Sequence, residues 1–207
     1  MSKLIILAIF SMIIAVTFVS TQDFTPTKNP IKVRCYFTGH GGIDFHIEPT
    51  WNPDGAKRFL DLVDDGYFSR SPLYRVFYNK IIGFGSNAKT KEWEKKYKPL
   101  PEIKKEITYK KGWLGFAEDR SRNMDFVIAM AEDYEYYALE HFDAPIGYSA
   151  KVSLLVGQFF AKYGESVPHG LGPDPEKIKE QGEQYLKQYP ELDYIISCNR
   201  LPDHDEL

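Results

Sequence analysis

The amino-acid sequence predicts a mainly β domain, closed as a barrel or packed as a sandwich. Short strand-like segments recur along the whole chain, against only two clear helical patterns. The 15 glycines, 13 prolines, 14 tyrosines and 14 phenylalanines are spread along the sequence, as turns and half-buried strands require. No internal repeat or low-complexity tract interrupts them, so the 207 residues read as one compact domain once a leader is set aside.

That leader comes first. Lys3 precedes the apolar run LIILAIFSMIIAVTFV, and Ala15 with Thr17, or Val19 with Thr21, supplies the small pair that a cleavage site needs. Residues 1–21 are therefore expected to be a secretory signal peptide. A membrane anchor is the alternative, since the run is near the lower limit of a spanning helix, ~17 residues. The chain ends His204, Asp205, Glu206, Leu207, and HDEL at a carboxyl terminus is read by a receptor that returns proteins to the endoplasmic reticulum. Together these predict the lumen of that compartment, with no membrane span after cleavage and the HDEL retrieval receptor as a partner. Of the charged residues only Lys3 leaves with the leader, so the net charge of −3 becomes one unit more negative. That balance argues against a nucleic-acid partner, which would demand a basic face. No permissive Asn-x-Ser/Thr site occurs.

Residues 22–30 read as an irregular lead-in, 31–201 as the domain and 202–207 as the tail. Strands are expected at 31–37, 43–47, 73–77, 80–84, 113–117, 126–130, 146–148, 152–161 and 193–198. The first helix follows Asn52, a capping residue, with Pro53 at its first position and Asp54 favourable to the dipole. Ala56, Phe59, Leu60 and Val63 form its core-facing stripe, and Gly66 supplies a left-handed stop. The second helix opens at Asp174-Pro175 and carries Ile178, Tyr185, Leu186 and Tyr189 on one face before Pro190. Cys35 and Cys198 lie in the first and last strand-like segments. In an oxidising compartment they either pair or stay two separate buried thiols, and spacing alone does not choose.

The order of segments resembles a cyclophilin. A strand, a helix, a Gly66-Tyr67-Phe68 turn, the LYRV strand and IIGFG are followed by GWLGFA, SRNMDFVIAM and DAPIG. The stretch KYGESVPHGLGPDPEKIKEQGEQYLKQYPELDYI is similar to an extended tail of some divergent members. The match spans roughly residues 31–200. It implies a closed eight-stranded antiparallel β-barrel capped by two helices, and peptidyl-prolyl cis–trans isomerase activity on proline-containing clients.

The chemistry needs little machinery. Rotating an Xaa-Pro bond means losing amide resonance, a barrier of ~18–20 kcal/mol, with no proton removed and no covalent bond made. A donor aimed at the proline nitrogen stabilises the twisted state, while an apolar pocket holds the ring. Arginine suits that role, being always charged and a rigid fork of donors. The resemblance places Arg75 at the family's catalytic arginine; by spacing alone it would be a solvent-facing strand residue.

Around it the resemblance implies an altered pocket. The family's Pro-Gly-Phe run reads Tyr78, Asn79, Lys80 here, so Lys80 replaces a pocket phenylalanine. Ile81 keeps the next apolar position and Gly83 replaces a glutamine. After SRNM, Asp125 stands for a second glutamine and Val127 for a pocket aromatic. Leu139 matches the pocket leucine, Ala138 the tryptophan before it, and Asp143 a final histidine or aromatic. The expected substrate pocket is thus Ile81, Asp125, Val127 and Leu139. Tyr136 or Tyr137 could supply a missing ring. Each lost buried aromatic removes ~1.5–3 kcal/mol of contact, and a charged Lys80 or Asp125 must be paired or solvated. Asp125 is expected to pair with Lys80 or with Arg75, and either arrangement weakens proline binding. The sequence therefore predicts a folding helper of feeble isomerase activity, or a cyclophilin-fold binding module or client escort. No cofactor is implied, and His40, His46, His141, His169 and His204 show no metal-ligand spacing. The acidic set Glu132, Asp133, Glu135 and Glu140 reads as a solvated loop, and the lysines of 89–98 as a solvent-facing loop or short helix.

Overall fold

The structure, a computed structural model, describes residues 24–101, 109–117, 123–131, 144–149, 151 and 157–202. The predicted leader 1–21 and the tail residues His204 to Leu207 lie outside them, as do Ala138, Leu139 and Asp143.

The first hairpin pairs β1 (Ile31–Phe37) with β2 (Gly41–Ile47), from Ile31 opposite Ile47 to Phe37 opposite Gly41. Gly39 and Gly41, with φ of 73° and 77°, make the turn a side chain would resist. Alternation sends Val33, Cys35, Phe37, Ile43, Phe45 and Ile47 into the core. Helix α1 (Pro53–Asp64) then begins as its capping residues dictate. Asn52 Oδ1 accepts from Gly55 N at 3.0 Å, and Asn52 Nδ2 donates to the Ala144 carbonyl at 2.9 Å, tying the cap to a distant loop. Ala56, Phe59, Leu60 and Val63 are buried as the stripe requires, and Gly66 turns the chain at φ 71°.

Strands β3 (Ser71–Pro72), β4 (Arg75–Phe77), β5 (Ile81–Phe84), β6 (Trp113–Phe116), β7 (Phe126–Ala129), β8 (Gly147–Tyr148) and β9 (Tyr194–Arg200) complete one curled antiparallel sheet. Its order is β3-β9-β1-β2-β8-β6-β7-β5-β4. The fold is mainly β, but the expected closed eight-stranded barrel is corrected: the described sheet has nine strands and is open. The reason lies at 71–77, where a strand was expected over 73–77 only. Ser71 and Pro72 pair with β9, whereas Arg75 to Phe77 pair with β5. The chain changes neighbours at Leu73–Tyr74, so the two edges are joined by covalent chain rather than by a ladder.

Phe126 is central to the core, its ring 4.9 Å from Phe116 and 5.2 Å from Phe59, with Phe68 and Phe84 beyond. Cys35 and Cys198, directly opposite across β1 and β9, form a disulfide with their Cα atoms 4.0 Å apart.

Of two helical expectations, the short-helix alternative for 89–98 is met and the C-terminal helix changes. A four-residue helix, α2 (Thr90–Trp93), forms within the lysine-rich 89–98 stretch. The single C-terminal helix is split into α3 (Pro175–Gln181) and α4 (Glu183–Leu186), because Gly182 takes φ 55° and breaks the hydrogen-bond ladder. Asp174 still caps α3, accepting from Glu176 N at 2.9 Å, and Ile178, Tyr185 and Leu186 still bury one common face, against Tyr74. Residues 157–161, expected as the end of a strand, form turns and irregular chain; 152–156 are outside the described residues. Among the described residues, no helix is long and apolar enough to cross a membrane.

Candidate functional site

Register places the candidate residues on one face. Arg75 of β4 lies opposite Gly83 of β5, Gly83 opposite Val127 of β7, and Val127 opposite Gly115 of β6. Directly paired residues share a face, so these four form a row across the outer side of the sheet. One step along, Phe77, Ile81 and Ala129 form a parallel row. On the other side of the first row, Asp125 shares the face of Val127, two residues away. The sheet thus does bring together Arg75, Ile81, Asp125 and Val127.

The row is flat where side chains were expected. An ideal Cβ on Gly83 would lie 3.0 Å from Arg75 Cβ and 3.4 Å from its Cδ, so the arginine stem lies down over the bare glycine. A Cβ on Gly115 would come 1.9 Å from the Tyr109 hydroxyl oxygen. The phenol of Tyr109 therefore reaches over Gly115, next to Val127. Tyr109, Val127 and Ile81 are each only 1% exposed, within an apolar cluster that includes Trp51, Trp113 and Ala129. Phe24 of the lead-in packs its ring 5.8 Å from Trp51 and 5.6 Å from Trp113. Ile81 and Val127 form the floor of a covered aromatic layer rather than an open pocket.

At the rim of that layer Tyr148 stacks on Trp51 and lies 3.1 Å from His46 Nδ1 through its hydroxyl. Burial and the Glu48 charge push the Tyr148 phenol above its usual range. Burial, then the Lys32 charge, holds the His46 imidazole below its own, with Asp44 and Glu48 opposing.

Arg75 itself is engaged. Its Nη2 donates to Glu165 Oε2 at 2.7 Å, and its Nε lies 2.5 Å from Oε1, a charge contact rather than an aligned hydrogen bond. The Arg75 and Glu165 side chains are 11% and 10% exposed. Glu165 comes from a loop clipped to β4, since Gly164 makes an isolated bridge with Val76. Lys80, standing where the family resemblance expects an aromatic, holds its ammonium 4.5 Å over the Phe77 ring.

Asp125 is paired, as a buried carboxylate must be, but its partner was not anticipated. Oδ1 accepts from Ser86 N and Ser86 Oγ, both at 2.6 Å, and Oδ2 lies 3.2 Å from Lys179 Nζ of α3. The expected pairing with Lys80 or Arg75 is corrected to this one, because α3 lays Lys179 against the strand while Glu165 takes Arg75. Glu165, Lys179 and Tyr109 are the site residues that sequence reasoning missed. Glu165 stands 90 residues from Arg75, and no periodicity connects them. The tail similarity covered Glu165 and Lys179 without giving either a role. Among the described residues, no group of three His, Cys, Asp or Glu converges as a metal site would.

The comparisons agree with this scaffold. No curated protein matches the chain in sequence. Its fold is similar to a cyclophilin-type peptidyl-prolyl cis-trans isomerase of Cryptosporidium parvum, at 14% identity and a TM-score of 0.56, covering 84% of this chain and 99% of that one. A second structure of that protein, in the presence of the dipeptide Ala-Pro, gives 14% identity and a TM-score of 0.54, over 83% of this chain and 99% of that one. The cyclophilin AquaCyp293 from Hirschia baltica gives 10% identity and a TM-score of 0.59, over 86% of this chain and 75% of that one. At such identities these likenesses show the fold alone. The family model for cyclophilin-type peptidyl-prolyl cis-trans isomerases matches residues 32–150, which run from the second residue of β1 through β8 and hold the whole Arg75–Gly83–Val127–Gly115 row. With that match over more than half its length, the chain belongs to the cyclophilin-type peptidyl-prolyl cis-trans isomerase family.

Proposed function

We propose that this protein is a cyclophilin-fold folding helper of the endoplasmic-reticulum lumen, acting on proline-containing segments of secretory clients with feeble isomerase turnover. The observation that carries the reading is the Arg75–Glu165 pair, about nine-tenths buried, beside an Ile81 and Val127 that are covered rather than open. Stabilising a twisted prolyl bond needs a positive field at the proline nitrogen and an apolar seat for the ring. A carboxylate at 2.5–2.7 Å offsets most of that field, and among the described residues the covered Ile81 and Val127 offer no open seat for the ring. Exchange spectroscopy by nuclear magnetic resonance on a short Xaa-Pro peptide tests this. Wild-type protein is expected to add little to the spontaneous rate. Brisk turnover that disappears in Arg75→Ala would sink it.

A second reading is favoured by one contrast, a well-kept scaffold around a covered site: a catalytically silent module that holds a partner protein. It predicts no turnover at all, and so parts from the first at the same measurement. The lumenal location rests on the apolar run after Lys3 and on HDEL at 204–207. Secreting cells expressing the chain without residues 204–207 are expected to release it to the medium. Equal retention with and without those residues would remove the retrieval argument.

A further inference from the structure

We propose that the segment Tyr163–Gln181 is an intramolecular inhibitor of the site, with the Glu165 carboxylate on the Arg75 guanidinium as the inhibiting contact. This rests on the reading above, that Arg75 is the group able to act on a prolyl bond and that turnover is feeble.

The loop holds Glu165 ready. Its carbonyl accepts from Gly172 N at 2.8 Å, Val167 N donates to the Gly172 carbonyl, and Leu171 N donates to that of Tyr163. Glycines permit that closure: a Cβ on Gly170 would come 2.2 Å from the Glu165 carbonyl oxygen, and one on Gly172 would come 2.9 Å. Glu165 Oε1 also accepts from Ser166 N at 2.9 Å, which limits the rotation of the carboxylate. The bridge from Gly164 to Val76 sets the loop on β4 one residue from Arg75. The carboxylate therefore meets the guanidinium with little conformational freedom left to lose.

The same segment makes a second contact of opposite sign. Lys179 Nζ lies 3.2 Å from Asp125 Oδ2 and 2.9 Å from Glu176 Oε1, and the Lys179 and Asp125 side chains are each 7% exposed. An acid of the segment thus sits on the basic site position, and a base of the segment sits on the acidic one. That reciprocity is the charge complementarity a bound partner would present, supplied here in cis. Tyr163 and Ile178 of the segment join one apolar cluster with Tyr74, Tyr185, Leu186 and Leu192, so it belongs to the fold and point substitutions probe it better than truncation.

Glu165→Gln keeps the shape and one acceptor but removes the charge. Glu165→Asp keeps the charge and draws it back by one methylene. Both are compared with wild type by peptide exchange, with urea midpoints reporting that each is folded. The expected result is a gain of about tenfold or more in Glu165→Gln, lost again in Glu165→Gln/Arg75→Ala. Glu165→Asp is expected to fall between and serves in its place if the glutamine variant does not fold. Folded variants as slow as a slow wild type overturn the inhibitor. Variants slower than wild type overturn it too, since Glu165 would then be positioning Arg75. A brisk wild type that Arg75→Ala abolishes overturns the underlying reading of a feeble site, whatever the variants do.

Discussion

Replacing Cys35 and Cys198 together by alanine is expected to lower the unfolding free energy by about 3–5 kcal/mol. The bond closes a loop with a sequence separation of 163 residues, most of the 207-residue chain. Opening it returns to the unfolded chain the freedom that the cross-link withholds, a term that grows with loop length. The folded state loses less. β1 stays paired with β2 and β9, and Val33, Phe37 and Ile195 stay buried around the site of the bond. The urea midpoint should therefore fall well below that of the oxidised protein, while the native fluorescence of Trp51 and Trp113 is unchanged. Equal midpoints for the two forms would show that the sheet, not the bond, holds β9.

Arg75→Ala is expected to destabilise the protein by about 3 kcal/mol, quite apart from catalysis. It leaves the Glu165 carboxylate, 10% exposed, without the guanidinium that lies 2.5–2.7 Å from it. Removing one partner of a largely buried pair costs more than removing both, because the survivor stays desolvated and uncompensated. Arg75→Ala/Glu165→Ala should then be less destabilised than the sum of the single changes, by about 1–3 kcal/mol. Urea titration of the four proteins closes the cycle, and additive costs would mean that the pair contributes no coupling. The cycle also matters for function, since a loss of turnover in Arg75→Ala reads as chemistry only if the protein is still folded.

What could be read from sequence was what neighbours along the chain control. Asn52, Pro53 and Gly66 bound α1 because capping and left-handed turns are decided within a few residues. The alternation of Val33, Cys35 and Phe37 marked β1 because a strand has a period of two. The misses share one cause. Gly182 reads as a tolerated glycine inside an amphipathic pattern, yet its positive φ of 55° ends α3, with Ala88 of another segment close against it. The run 73–77 reads as a strand, and only the partners show that it pairs from Arg75 onward at one edge of the sheet while Ser71 and Pro72, just before it, form the other edge. Asp125 reads as needing a counter-charge, but nothing local names Lys179.

The sequence by itself thus determined the family, the strand periods, the first helix and the presence of an arginine where prolyl chemistry would want one. The tertiary structure alone decided what that arginine faces. Glu165 on Arg75 and Lys179 on Asp125 are contacts across the sheet's outer face, between segments far apart in the chain. Such contacts follow from how the loop and α3 close over β4, and backbone propensity and short-range spacing carry no information about that closure.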